Sequence, residues 1–174
     1  DLMSNSGVQA LIMPSILPAT HYTFDANIDK VIFPPDIGAL NNQMCKSPQR
    51  MDRLALPPLI TALPDYFFDG NRSIRQIVIP NNVKTIGQYA FRYCYSLTNI
   101  KFPPSVTSLG GNVFYYCSAL REVDFSQHKS VPSLGASAFQ SVPTTCKILV
   151  PSSLASSWKA ATNWKTYASM IQAV

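Results

Sequence analysis

A solenoid of short parallel strands, closed at its C-terminal end by a helix, is the fold the sequence predicts. Two observations predict it: a 23-residue period whose apolar columns run through most of the chain, and the breakdown of that period after residue 151 into apolar residues at steps of three and four. The period is plainest in residues 74–96, IRQIVIPNNVKTIGQYAFRYCYS, and 97–119, LTNIKFPPSVTSLGGNVFYYCSA, which repeat a proline, a glycine, a phenylalanine and a cysteine at matching offsets. A self-similar unit of this length marks a structure that cannot bury its apolar faces without a copy on each side.

Taken in order, residues 1–27 are expected to form an imperfect first turn, because LIMPSIL echoes the strand-proline signal. Full turns follow at 28–50, 51–73, 74–96, 97–119 and 120–144, the first with a degraded second half and the last with two extra residues near His128; a half-turn spans 145–151. One apolar column holds Val31, Leu54, Ile77, Ile100, Val123 and Ile148, and a second holds Phe33, Leu56, Ile79, Phe102, Phe125 and Val150. Their alternation describes a short strand with one buried face. The next column, Pro34, Pro57, Pro80, Pro103 and Pro151, ends the strand, since proline cannot donate to a sheet ladder. Strands recurring in one direction must pair in parallel. The returns read as irregular turns, with Gly87, Gly110 and Gly135 at sharp bends and with Phe68, Phe91, Phe114 and Phe139, joined by Cys45, filling the far side. In residues 152–174, Leu154, Trp158, Ala161, Trp164, Ala168 and Ile171 follow a helical spacing behind candidate N-cap serines Ser152 and Ser153, which predicts a cap over the last open turn.

Composition narrows the function. The 174 residues are 47% apolar and 13% charged, as in a folded domain. The net charge of +5 comes from scattered Lys and Arg, which lack the stripe that nucleic-acid binding needs. No apolar run approaches the ~20 residues of a membrane span. A chain that opens on Asp1 is expected to be a piece of a longer product, its export signal lying outside the piece.

The unit with its V-x-x-I-G-x-x-A-F-x-x-C signature resembles the BspA-type leucine-rich repeats of bacterial surface proteins, and LVPSSLASSWKAATNWKTYASMI resembles an ending such proteins carry. The resemblance covers about residues 28–171 and is firmest over 74–125. It implies a leucine-rich-repeat solenoid with its strands on the concave face, displayed at the cell surface or secreted, and adhesion to extracellular host or neighbouring-cell proteins. It carries no catalytic site and no cofactor.

Chemistry-bearing residues are sparse. Cys94 and Cys117 fall on adjacent turns, close enough for a disulfide, although their column also holds Pro48, Asn71 and Val142; free, buried thiols are the expectation. Cys45, Cys94, Cys117 and Cys146 are too far apart in turn order for a metal site. His21 and His128 are the only histidines and Glu122 is the only glutamate, so no acid–base set is predicted; His128 reads as a loop residue, and Glu122 with Asp124 reads as a solvated pair. The outward strand positions Lys30, Arg53, Gln76, Val78, Asn99, Lys101, Glu122, Asp124 and Lys147 form the predicted protein-binding strip. An alternative surface gathers Tyr89, Arg92, Tyr93, Tyr95, Tyr115 and Tyr116, residue types enriched at binding hot spots. A non-catalytic, monomeric binding module is therefore expected, with a structural spacer and a glycan-capturing module as the alternatives; the strip lacks the aromatic platform a sugar ring would need.

Overall fold

The structure, a computed structural model, describes residues 10–12, 30–40, 45 and 54–174. In chain order its strands are β1 (Ala10–Ile12), β2 (Lys30–Ile32), β3 (Ala62–Leu63), β4 (Gln76–Val78), β5 (Thr85–Ile86), β6 (Asn99–Lys101), β7 (Ser108–Leu109), β8 (Glu122–Asp124), β9 (Ser133–Leu134), β10 (Lys147–Val150) and β11 (Ile171–Ala173). Every pairing is parallel. The main sheet runs β4-β6-β8-β10-β11, and β1 pairs with β2, whose Ile32 bridges to Ala55.

The register follows the period. Gln76 pairs with Asn99 and Asn99 with Glu122, steps of 23 residues, whereas Glu122 pairs with Lys147, a step of 25. The two additional residues lie between β8 and β9, because Ser108 pairs with Ser133. In β4, β6, β8 and β10 the second residue points inward: Ile77, Ile100, Val123 and Ile148 are buried. The prolines close the strands as predicted, and their carbonyls accept the amides of Val83 and Val106 to turn the chain.

The returns are more ordered than irregular turns. β3, β5, β7 and β9 form a second parallel sheet of two-residue strands, and backbone bonds join turn to turn beyond it, from Phe68 to Ala90, Phe91 to Val113 and Phe114 to Ala138. Behind these bonds the rings of Phe68, Phe91, Phe114 and Phe139 stack at 5.2–5.5 Å between centroids. That is near the 4.7–4.9 Å spacing of paired strands, so one phenylalanine per turn fills the space with no gap. Cys45 continues the column, its amide bonded to Phe67. Gly87, Gly110 and Gly135 serve close packing and not a special backbone angle. A Cβ on Gly110 would sit 2.5 Å from the Gln88 nitrogen in the preceding turn, and at Gly87 and Gly135 it would likewise meet backbone atoms.

The C-terminal segment caps the stack, but with less helix than its spacing suggested. The α-helix α1 covers only Ala155–Ala160, flanked by 3-10 turns at Ser152–Leu154 and Trp164–Tyr167. Ser152 and Ser153 lie inside the first 3-10 turn and no side chain caps α1, so the N-cap reading of the serines is corrected. Ile171, expected on the helix, lies in β11 and pairs with Ile148, again a step of 23. The cap is a turn of the solenoid whose return has been replaced. Trp158 and Trp164 are fully buried over Phe125. Polar groups of the same segment complete the ladders: Trp164 Nε1 donates to the Pro132 carbonyl at 2.7 Å, Asn163 Nδ2 to the Leu134 carbonyl at 2.6 Å, and the Tyr167 hydroxyl accepts the Phe139 amide at 3.2 Å. Within the stack the corresponding groups, such as the Leu109 carbonyl and the Phe114 amide, bond to the next turn.

Candidate binding surfaces

Because the second residue of β4, β6, β8 and β10 points inward, its two neighbours face outward and form parallel rows across the main sheet. One row holds Gln76, Asn99, Glu122 and Lys147, and the other Val78, Lys101, Asp124 and Leu149. Lys30 occupies the first row by its backbone position in β2; Arg53 lies outside the described residues. The rows enclose an open groove of about 490 Å³ lined by Leu54, Gln76, Val78, Asn99, Lys101, Glu122 and Asp124 among others. Val78 is 82% exposed, and Ile12 and Ile32 extend the apolar edge toward the N-terminal turns. A smaller groove of about 340 Å³ continues there, lined by Phe33, Pro35, Pro57 and Pro58 among others.

The charges in the row are organised. Lys101 Nζ lies 3.2 Å from Asp124 Oδ2 on the next strand. Burial by itself would raise the Asp124 pKa, but bonds from Ser126 together with Lys101 outweigh it and hold the carboxyl below its usual range. Glu122 and Asp124 share one face of β8, both half-buried, with Asp124 committed to Ser126 and Lys101. That geometry makes an ordered polar surface on the strand row.

The tyrosine-rich flank is assembled by the returns. Arg92 places Nε and Nη2 at 2.7 and 2.8 Å from the two oxygens of the buried Asp69, one turn earlier. Its guanidinium lies 4.9–5.3 Å from the ring centroids of Tyr66, Tyr89 and Tyr93. Tyr66 stacks on Tyr89, and Tyr93 contacts Tyr95, Tyr115 and Tyr116. Tyr66 and Asp69 were not among the predicted site residues; the 23-residue offset from Tyr89 and Arg92 is the signal that finds them.

The remaining chemistry is structural. The four cysteines are free and buried, and the Cys94 and Cys117 thiols donate to the Phe68 and Phe91 carbonyls at 3.2 and 2.9 Å. Burial raises the pKa of each thiol, that of Cys146 to about 12. Among the described residues no group of three or more His, Cys, Asp or Glu side chains could hold a metal. His128 occupies a loop, as expected, but its side chain is buried at 4% exposure. Its Nε2 lies 3.1 Å from the Val106 carbonyl, and its ring meets Phe125 and Trp158 edge to face. The two-residue insertion thus delivers a side chain beneath the cap.

Parallel turns at a step of 23 residues, lengthened to 25 at one turn, a glycine at each tight approach and a solvent-facing strand row define a leucine-rich-repeat solenoid. The family described as the BspA type leucine rich repeat region matches residues 61–162 in six copies, and the chain belongs to that family. Among solved structures it is similar to the leucine-rich repeat protein of T. pallidum, with a TM-score of 0.58 and 20% identity over 79% of each chain. It is also similar to a leucine-rich repeat protein from Bacteroides ovatus, with a TM-score of 0.59 and 19% identity. That alignment covers 99% of this chain and 56% of the other, so the chain spans little more than half the length of that protein. At these identities the likeness is one of fold. The search of curated proteins gave no match.

Proposed function

We propose that this chain is a non-catalytic, adhesin-like module of a cell-surface or secreted protein, and that it binds extracellular proteins of a host or neighbouring cell through the main-sheet groove. One observation carries the reading: the row through Val78, Lys101 and Asp124 is open to solvent, combining an exposed apolar residue with an ordered ion pair in a groove of about 490 Å³. Rigid parallel strands present these side chains on a surface wide enough for a folded partner, whereas a small substrate would need an enclosed pocket. Membership of the BspA-type family supports surface display.

The test is binding to a panel of extracellular matrix and cell-surface proteins, compared with a variant carrying Lys101→Glu and Lys147→Glu. At least one partner is expected to bind in a salt-sensitive way and to lose affinity on the double reversal. A silent panel favours the spacer reading, and binding confined to sugar arrays favours the glycan one. Binding that the reversal leaves unchanged removes the groove from the proposal.

A further inference from the structure

A second surface lies where each return climbs back into the main sheet, along residues 70–75, 93–98 and 116–121 of three successive turns. Its first column is Gly70, Tyr93, Tyr116 and Ser141, and all four adopt left-handed backbone, with φ of 72°, 58°, 58° and 61°. Such a position suits glycine. Gly70 and Ser141 show that the turn forms without a ring, so the two central tyrosines are there for what their side chains present. Tyr116 is 43% exposed and Tyr95, two residues beyond Tyr93, is 37% exposed.

The charges beside these rings share one sign. Arg72 is exposed, with its guanidinium 5.4 Å from the Tyr95 ring centroid. Arg75 and Arg121 are exposed two turns apart, joined through Thr98, whose amide bonds Arg75 and whose carbonyl accepts the Arg121 amide. None of the three arginines has an ion-pair partner among the described residues, and the three stretches contain no Asp or Glu. Arg92, by contrast, is neutralised by Asp69 and acts as a strut behind the rings.

We propose that this edge docks an extended acidic segment of a partner protein, with carboxylates on Arg75 and Arg121 and apolar side chains on Tyr95, in the stretch between them, and on Tyr116, in the stretch that ends at Arg121. Two strand spacings separate the arginines by about 10 Å along the stack, which a chain in the polyproline II conformation covers in about three residues, one full turn that brings positions i and i+3 to the same side. Acidic residues at every third position therefore match the arginines in register. Planar guanidinium groups take carboxylates in paired hydrogen bonds, and tyrosines held against their neighbours supply contact area at little entropic cost. The inference does not rest on the groove of the main sheet.

The probe is a fluorescein-labelled synthetic peptide repeating glutamate, threonine and valine, read by anisotropy, with a lysine-for-glutamate peptide and heparin as comparators. The glutamate peptide is expected to bind, more weakly as salt rises. Arg75→Glu with Arg121→Glu, and separately Tyr116→Gly, are each expected to weaken it about tenfold or more, the loss typical of a hot-spot contact, with thermal midpoints unchanged. Lys101→Glu, in the groove, is expected to leave this affinity unchanged. The proposal is overturned if the peptide does not bind, if the arginine reversal changes nothing, if Lys101→Glu weakens binding equally, or if heparin alone binds through these arginines.

Discussion

At the scale of single residues, the fold is governed by how closely successive turns approach. Gly110 has another turn's backbone where its Cβ would be, and backbone cannot rotate away as a side chain can. Gly110→Ala is therefore expected to lower stability by about 2 kcal/mol or more, within the range of overpacked cores. Urea denaturation would measure it, and a loss under 0.5 kcal/mol would contradict the close-approach account. His128 gives a pH dependence. Burial lowers its pKa, against smaller opposing effects of the Val106 and Phe125 carbonyls and of Asp124, so the folded protein holds it neutral where the unfolded chain would protonate it. Its contribution is then fully present above the unfolded value of ~6.5 and is lost as pH falls below that toward the folded value. A thermal midpoint that drops between about pH 7 and 5 is expected, with a shallower drop in His128→Gln. Equal slopes for the two proteins would exclude the histidine as the cause. The thiols of Cys94 and Cys117 should resist alkylation in the folded protein and react after unfolding, which mass analysis of both states reports.

Elements matter here chiefly at the ends of the stack. An inner turn has its backbone groups bonded by the next turn; the last one is completed by Trp164, Asn163 and Tyr167 side chains. Tyr167→Phe keeps the ring against Phe139 but removes the hydroxyl that accepts the Phe139 amide. Leaving such a group without its partner costs about 1–3 kcal/mol. The expected signature is a lower thermal midpoint together with faster hydrogen exchange at the Phe139 amide. Unchanged exchange there would show that the hydroxyl is dispensable. The helical spacing in this segment was legible, and so were the two tryptophans. β11 was not seen, because Ile171 satisfies both the helical step from Trp164 and the 23-residue step from Ile148. Local periodicity cannot choose between two patterns that one residue fits.

For the whole molecule, stability is a sum of turns and their interfaces, so an uncovered end should affect the entire stack. Removal of residues 154–174 takes away Trp158, Trp164 and β11 and bares Phe125, Phe139 and the β10 edge. The truncated chain is expected to aggregate, as light scattering would show; a monomer of unchanged thermal stability would contradict the capping role. The sequence by itself determined the repeat, its register, the buried columns and the outward strand row, because each follows from a period imposed on every turn. Only the tertiary structure decided why the glycines are needed, where His128 lies, how side chains complete the last ladder and which of the described arginines have an ion-pair partner among the described residues. Those features depend on atoms that meet across turns, 22 residues apart for His128 and Val106 and 32 for Trp164 and Pro132, and on directions that a one-dimensional pattern does not contain.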